Sequence, residues 1–252
     1  MQDAHNHLQD PRFDGMREEI IATMISSGIS RCVVNGTSPS DWPKVAELAA
    51  QYPEFIIPSF GLHPWQNPTN TWYDQLLTYL ETIPHACVGE CGLDRWIKDY
   101  DIDLQREVFI TQLTLAEQRN LPLSIHCLKA WGVLLDILES QPLPKRGFLL
   151  HSYSGSTELI PRLEKLGAYF SFSGYFLHPQ KQNVRDTFRQ VSPDRLLIET
   201  DAPDMLPPGG LIDYPLNQKL NHPANLKRIT DEAAKFLDTS RVTKNFQCFF
   251  GN

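Results

Sequence analysis

The chain has 252 residues, of which 41% are hydrophobic and 21% are charged, and its formal net charge is −7. This length suffices for one large domain with a sizeable core, and the composition is typical of globular proteins. No apolar run approaches the ~20 residues that span a bilayer, so we expect no membrane segment. The negative charge argues against sequence-independent binding along duplex DNA, although metal ions could still hold a phosphate-bearing substrate locally.

The start of the chain and its cysteines predict the compartment. The first residues lack the basic start and the apolar stretch of a secretory signal. The five cysteines are odd in number and include no Cys-x-x-Cys pair, which favours reduced and mostly buried thiols over a disulfide framework. We therefore expect a cytoplasmic protein, and a monomer is compatible with the sequence.

Short apolar runs alternate with amphipathic helical patterns along the whole chain. The predicted strands are residues 3–7, 31–36, 55–61, 86–92, 123–127, 148–153, 168–174 and 196–201. Eight strand–helix units predict an α/β fold, a single (β/α)8 TIM-type barrel that forms one domain over residues 1–252. The alternative is an open doubly wound sheet, which should bring a glycine-rich turn after the first strand, and the sequence has none there. The long irregular stretch at 202–223 is expected to form a lid or a rim.

Polar side chains end the apolar strands of this barrel, at the end where such barrels carry their active sites. On the first strand, His5 and His7 share one face, because side chains alternate along a strand. The later strand ends contribute His63, Glu90, His126, His151 and Asp201. Any one of these residues could be structural, but so many at one end of one barrel predict a metal site.

The ligand types indicate which ions bind. Imidazoles and carboxylates in this ratio suit Zn²⁺, Mn²⁺, Co²⁺ or Fe²⁺, with Mg²⁺ less natural on histidine. Four imidazoles and two carboxylates exceed one tetrahedral site and predict two divalent ions bridged by Glu90. The ligands that share Glu90 are His5, His7 and Asp201 for one ion, and His126 and His151 for the other. We expect Glu90 and Asp201 to serve catalysis, with Asp201 orienting a water activated by the ions or accepting its proton.

Further polar residues near the strand ends are weaker candidates. The candidate substrate contacts are His63, Arg95 and Lys129. Asp3 could orient an imidazole or serve the fold. Glu199 could tune Asp201 or be paired inside the barrel.

The segments that carry these residues resemble the TatD-type metal-dependent DNases, a branch of the amidohydrolase-like barrels. The matching segments follow one another along nearly the whole chain: DAHNH at 3–7, GLHP at 61–64, GECGLD at 89–94, PLSIH at 122–126, HSYSG at 151–155, ETDAP at 199–203, NF at 245–246 and FFG at 249–251. The resemblance implies a two-metal hydrolase of phosphodiester bonds, typically in DNA. Its implied metal ligands are His5, His7, Glu90, His126, His151 and Asp201.

Three departures from the family's pattern lie near the expected substrate rim. The basic residue after His126 comes third, as Lys129; Asp204 stands where an aromatic residue is common; and NHP at 221–223 replaces the usual NEP. They leave open two alternatives to a DNase or other phosphodiesterase: hydrolysis of amide, ester or lactone bonds, including aminoacyl deacylation, and metal binding without turnover. A DNase with this net charge should show a basic strip near the metal mouth, and its candidates are Lys98, Lys129, Lys145 and Lys181. Their placement far from that mouth would argue against DNA as the substrate.

Overall fold

The computed structural model describes residues 1–251. Eight parallel strands form one sheet, in which each strand pairs with the next along the chain. The strands are β1 (Gln2–Asn6), β2 (Arg31–Asn35), β3 (Ile56–Phe60), β4 (Cys87–Asp94), β5 (Leu123–Leu128), β6 (Phe148–Leu150), β7 (Ala168–Ser173) and β8 (Leu196–Glu199). Each overlaps one predicted segment, and the predicted (β/α)8 TIM-type barrel is confirmed.

Backbone hydrogen bonds join the first strand to the segment that follows the last one. The amide of Asp201 donates to the carbonyl of His5 at 2.9 Å, and the amide of His7 donates to the carbonyl of Ala202 at 2.8 Å. Both bonds lie at the carboxyl ends of β1 and β8. Closing the barrel therefore brings the first and the last polar residues of the predicted site together.

Helices follow the strands and cover the outside of the barrel. They are α1 (Arg17–Ser26), α2 (Trp42–Gln51), α3 (Trp72–Thr82), α4 (Ile102–Arg119), α5 (Trp131–Ser140), α6 (Ile160–Lys165), α7 (Gln182–Phe188), α8 (Leu226–Ala233) and α9 (Val242–Phe250). The longest, α4, shows how the sequence sets helix ends, since the Asp101 side chain caps its first amides and Asn120 ends it in a left-handed conformation. Within residues 1–251, no helix has the length and apolar character that crossing a bilayer requires.

Apolar side chains pack in two places. The larger core lies between the strands and the surrounding helices. A smaller cluster joins strand residues such as Leu149 and Leu197 to Phe246 and Phe249 of α9. The guanidinium of Arg146, which precedes β6, donates to the carbonyl of Phe249, so α9 covers the amino end of the barrel. All five cysteines are free thiols and four of them are buried, as predicted.

Two strands end at least two residues earlier than predicted. The predicted segments 148–153 and 196–201 include His151 and Asp201, whereas β6 ends at Leu150 and β8 ends at Glu199. The backbone turns left-handed at Ser152 (φ 41°) and at Asp201 (φ 51°), a conformation that is incompatible with an extended strand. His151 and Asp201 are therefore presented by turns just beyond the strands.

Candidate metal centre

The six side chains predicted as metal ligands meet at the carboxyl end of the barrel. They are His5 on β1, His7 just after it, Glu90 on β4, His126 on β5, His151 just after β6 and Asp201 just after β8. His5 is fully buried and Glu90 is 3% exposed, while the more open side chains of His7 and His126 are still only 14% and 15% exposed. Ionisable groups withdrawn from water in this way need partners or bound cations to offset their desolvation.

Glu90 lies between two groups of histidines. Its Oε2 atom is 3.4 Å from Nε2 of His5 and 3.3 Å from Nε2 of His7. Its Oε1 atom is 3.1 Å from Nδ1 of His126 and 2.8 Å from Nε2 of His151. Each carboxylate oxygen therefore faces one of the two ligand groups that the sequence predicts, and Glu90 has the geometry of a bridging ligand.

Asp201 and His63 extend these two groups. The Oδ1 atom of Asp201 is 3.7 Å from Nε2 of His5 and 3.4 Å from Nε2 of His7, so Asp201 joins the group around Oε2 of Glu90. Nε2 of His63 is 3.3 Å from Oε1 of Glu90. His63 therefore adjoins the other group, and it also lines the cleft that leads to the cluster.

Two irregularities in the backbone of β4 place Glu90 in the cluster. The pairing between β4 and β5 shifts register between Val88 and Cys91, around Glu90. Gly92 follows with φ of 142°, and a Cβ atom there would lie 2.0 Å from the carbonyl oxygen of His126. Only glycine allows the two strands to approach so closely, and this approach brings Glu90 beside His126.

Hydrogen bonds from outside the cluster orient two of the imidazoles. Nδ1 of His7 is 2.8 Å from the carbonyl oxygen of Asn35 at the end of β2. Nε2 of His126 is 2.9 Å from Oδ2 of Asp94, the last residue of β4. Such partners fix the ring and the tautomer of a metal-binding histidine. Sequence reasoning did not assign Asp94 a role, although it carries the signal used for the others, a polar residue that ends an apolar strand.

The two weaker carboxylate candidates, Asp3 and Glu199, both accept hydrogen bonds from residues of the barrel. Asp3 accepts hydrogen bonds from the amide of Thr200 at 2.9 Å and from its hydroxyl at 2.6 Å, so it ties β1 to the end of β8. Of the two roles expected for Asp3, orienting an imidazole or serving the fold, these bonds correspond to the second. Glu199 accepts from the amide and hydroxyl of Ser152 at 2.7 and 2.6 Å and is thereby paired inside the barrel.

The cluster favours positive charge. Burial would raise the pKa of Glu90, but His151 and His63 nearby hold that pKa well below its usual range. The pKa of Asp201 is lowered to about 2, because the hydrogen bond from His7 and the charge of His151 outweigh burial. Burial would lower the pKa of His7 and of His151, yet the surrounding carboxylates raise both well above the usual value. The field that stabilises these protons also favours divalent cations.

The donor atoms themselves fit metal ions. Nε2 of His5 and Nε2 of His7 lie 3.3 Å apart, and so do Nδ1 of His126 and Nε2 of His151. His5, His7 and Glu90 form one group of three donors that could hold a cation, and His63, Glu90 and His126 form another. Nε2 of His151 lies beside the second group, 2.8 Å from Oε1 of Glu90. Nitrogen and oxygen donors of this kind suit zinc and the neighbouring first-row transition metals.

A cleft of about 530 Å³ opens from the cluster to the surface. Trp65 and Trp96 line it with indole rings, and Arg12 is the only lysine or arginine among its described lining residues. The Arg12 guanidinium donates to both Asp10 and Asp204. The predicted contacts Arg95 and Lys129 are not among the lining residues, and neither are Lys98, Lys145 and Lys181. Lys145 precedes β6 and so belongs to the opposite end of the barrel, whereas the other four follow strands at the cleft end.

Comparison with known proteins gives consistent matches over the whole chain. A family model described as TatD related DNase matches residues 2–249. The uncharacterized metal-dependent hydrolase YabD of Bacillus subtilis (strain 168) is 30% identical over 239 residues, which cover 92% of this chain and 89% of YabD. The 3′-5′ ssDNA/RNA exonuclease TatD of Edwardsiella piscicida is 27% identical over 242 residues, with coverage of 94% and 91%. The crystal structure of YjjV, a TatD homologue from Escherichia coli K12, matches with a TM-score of 0.91 at 26% identity, over 100% of this chain and 98% of YjjV.

Proposed function

This chain belongs to the TatD-related DNase family and is a metal-dependent hydrolase, and we propose that it uses two divalent ions to cleave phosphodiester bonds in single-stranded nucleic acid. The observation that carries the proposal is the position of Glu90, whose two oxygens face two different pairs of imidazoles. One group is His5 and His7 with Asp201, and the other is His126 and His151. Ions held there would polarise a phosphoryl oxygen and activate water.

The chain's own residues prepare the site for this chemistry. With a pKa of about 2, Asp201 is ionised at neutral pH and accepts a hydrogen bond from the attacking water, which it orients. Burial lowers the pKa of His63 to about 4, so its neutral ring can contact substrate at the edge of the cleft without adding charge. Asp94 holds the ring of His126 in place. Substrate contacts from Arg95 and Lys129 stay predictions.

Two features support a single strand as the substrate. A similar protein, TatD of Edwardsiella piscicida, is named as a 3′-5′ ssDNA/RNA exonuclease. The net charge of −7, and a cleft in which Arg12 is the only lysine or arginine among the described lining residues, offer little to the closely spaced phosphates of a duplex. A strand end needs fewer phosphate contacts and can reach a buried metal centre through a cleft.

A second candidate function is the hydrolysis of an amide, ester or lactone bond at the same metal centre. The observation that favours it is the acidity of the cleft, whose lining includes Asp10, Asp41 and Asp204 against Arg12 alone. A neutral or cationic substrate would meet no repulsion there. The two candidates share the metal ligands and differ in the bond that is cut.

The test removes the metals with a chelator and restores them one species at a time. We expect metal analysis to find two ions per chain, and we expect restored cleavage of single-stranded DNA with Mn²⁺, Zn²⁺, Co²⁺ or Mg²⁺, faster than that of duplex DNA. Asp201→Asn should lower kcat about 10²-fold to 10⁴-fold, the range for loss of a group that handles a proton in the transition state. Asp213→Asn, which alters an exposed partner of Arg228 outside the cleft, is the matched control.

The same preparation discriminates between the candidates. Ester or aminoacyl-ester hydrolysis without DNA cleavage would favour the second candidate. Activity that survives in Asp201→Asn would refute the ligand assignment, and a single bound ion per chain would refute the bridging role of Glu90.

A further inference from the structure

Two exposed tryptophans lie where substrate must pass. The fold buries nearly all of its large apolar side chains, yet Trp65 is 54% exposed and Trp96 is 61% exposed. Both line the cleft that contains Glu90 and His126. Exposing two indole rings costs apolar burial, so their placement at the mouth of the metal centre points to a ligand that covers them.

A single carboxylate ties both tryptophans to the metal centre. Oδ2 of Asp94 accepts from Nε1 of Trp65 at 2.8 Å, and Oδ1 accepts from the backbone amide of Trp96 at 2.5 Å. The same Oδ2 atom lies 2.9 Å from Nε2 of His126. The ring centroid of Trp65 is 6.2 Å from that of His126. The ring of Trp65 and the backbone of Trp96 are therefore both anchored beside a proposed metal ligand.

The cleft offers little to phosphates beyond the metal centre. Arg12 donates to Asp204 through both terminal nitrogens, at 2.9 and 2.7 Å. It also donates to Asp10 at 3.0 and 2.8 Å. A phosphate that sought Arg12 would have to displace one of these carboxylates. Proteins that bind single strands usually combine a basic groove with aromatic rings, whereas the described lining of this cleft has the rings and, as its only lysine or arginine, Arg12.

We propose that Trp65 and Trp96 form a base-stacking platform, so that the substrate strand is recognised by its unpaired bases more than by its phosphates. The proposal rests on the proposed function and specifies how its substrate is held. Every base has a face that can stack, so the platform tolerates any sequence. It rejects paired bases, whose faces are already stacked within a duplex.

Trp96→Ala is the sharpest test. The Trp96 side chain is exposed and its bond to Asp94 comes from the backbone, so the substitution leaves that bond possible. The substrates are a short oligothymidylate and the same strand with abasic nucleotides at its ends. On the natural strand we expect KM to rise roughly tenfold to a hundredfold with little change in kcat, the size of effect seen when an aromatic that stacks a base is replaced by alanine. On the abasic strand the rise should be less than about threefold, because the stacking partner is already missing.

Tyr73→Ala is the matched control, because Tyr73 is an exposed aromatic residue on α3 that does not line the cleft. Trp65→Phe keeps a stacking ring but loses the donor to Asp94, so it should raise KM less than Trp65→Leu does. The KM of the unaltered protein should also respond weakly to salt. Since each phosphate contact of a single strand contributes about −0.7 to the slope of log(1/KM) against the logarithm of the salt concentration, a slope shallower than about −1.4 is expected.

The outcomes separate failure of this inference from failure of the proposed function. Equal losses on natural and abasic strands, or a slope of log(1/KM) against the logarithm of the salt concentration steeper than about −1.4, would overturn base recognition while leaving phosphodiester cleavage intact. If no nucleic acid is cleaved, the function fails. Quenching of tryptophan fluorescence by oligothymidylate in Asp201→Asn would then still support the platform, provided that Trp96→Ala abolishes it and the abasic strand does not cause it. Absence of such quenching would overturn the platform as well.

Discussion

The two ends of the barrel are built from the same strands but have opposite chemistry. At the amino end, strand residues such as Leu149 and Leu197 pack against Phe246 and Phe249 of α9. At the carboxyl end, the same two strands lead into His151 and Asp201, which meet other ionisable groups around Glu90. Apolar burial at the amino end stabilises the fold, whereas the desolvation of ionisable groups at the carboxyl end destabilises it. Folding and chemistry are thus assigned to opposite ends, as in other barrels of this type.

The largest expected effect is a loss of stability from a substitution at the amino end of the barrel. Phe249 is fully buried and its ring centroid lies 4.9 Å from that of Tyr169 and 4.6 Å from that of Phe250. Phe249→Ala should lower the free energy of unfolding by about 3–5 kcal/mol, because it removes a buried ring and leaves a cavity. Urea unfolding followed by circular dichroism measures the loss. The folded fraction should keep its metal content and its kcat, because the change is at the far end of the barrel.

Gln247→Ala controls for the helix itself, since Gln247 is an exposed residue of α9 and its loss should stay within about 0.5 kcal/mol. A fall in the kcat of folded Phe249→Ala protein would show that the two ends are coupled and that the comparison is wrong.

The next largest effect is a loss of metal affinity at the carboxyl end, caused by a substitution that leaves every proposed metal ligand in place. In Asp94→Asn, the amide oxygen can still accept from the amide of Trp96, but its NH₂ group then faces Nε2 of His126 and Nε1 of Trp65. Two of these three nitrogens, Nε2 of His126 and Nε1 of Trp65, therefore lose their acceptor, and the ring of His126 loses its fixed orientation. We expect metal affinity to fall about 10-fold to 100-fold, which is the usual effect of removing such a partner.

Competition with a chelator measures this affinity, and Asp101→Asn serves as the control. Asp101 caps α4 in the same connection, and asparagine caps a helix about as well as aspartate. Unchanged metal affinity in Asp94→Asn, with the fold intact, would contradict the role of Asp94.

The sequence predicted the barrel and the composition of its polar end better than it predicted how each residue is held. An apolar run that ends in Glu90, His126 or His151 predicts both a buried strand and a polar side chain at its carboxyl end. Alternation along a strand placed His5 and His7 together, and they do meet at Glu90, although His7 lies one residue beyond β1.

What the sequence left open depends on contacts between distant segments. Asp94 looks like an ordinary strand-end carboxylate until β5 brings His126 within 2.9 Å of it. Arg12 and Asp204 are 192 positions apart, and only closure of the barrel makes them partners. Long basic side chains such as Lys129 have no pattern that fixes where they point, so spacing from a strand end is a weak guide to a substrate contact.

The smallest expected effect sharpens the contrast at the rim of the carboxyl end. Asp204→Asn removes one of the two carboxylates that hold Arg12 and lessens the repulsion of an anionic strand. Because exposed ion pairs contribute about 0.2–1 kcal/mol, KM for single-stranded DNA should fall only about 1.5-fold to fivefold at low salt, and the difference should fade as salt increases. Asp213→Asn changes the formal net charge equally at an exposed arginine pair outside the cleft, so comparing the two isolates the local effect. A much larger fall in KM would mean that phosphates dominate recognition and that Asp204 restrains it. A small one would leave the tryptophans as the main contact between the strand and the rim.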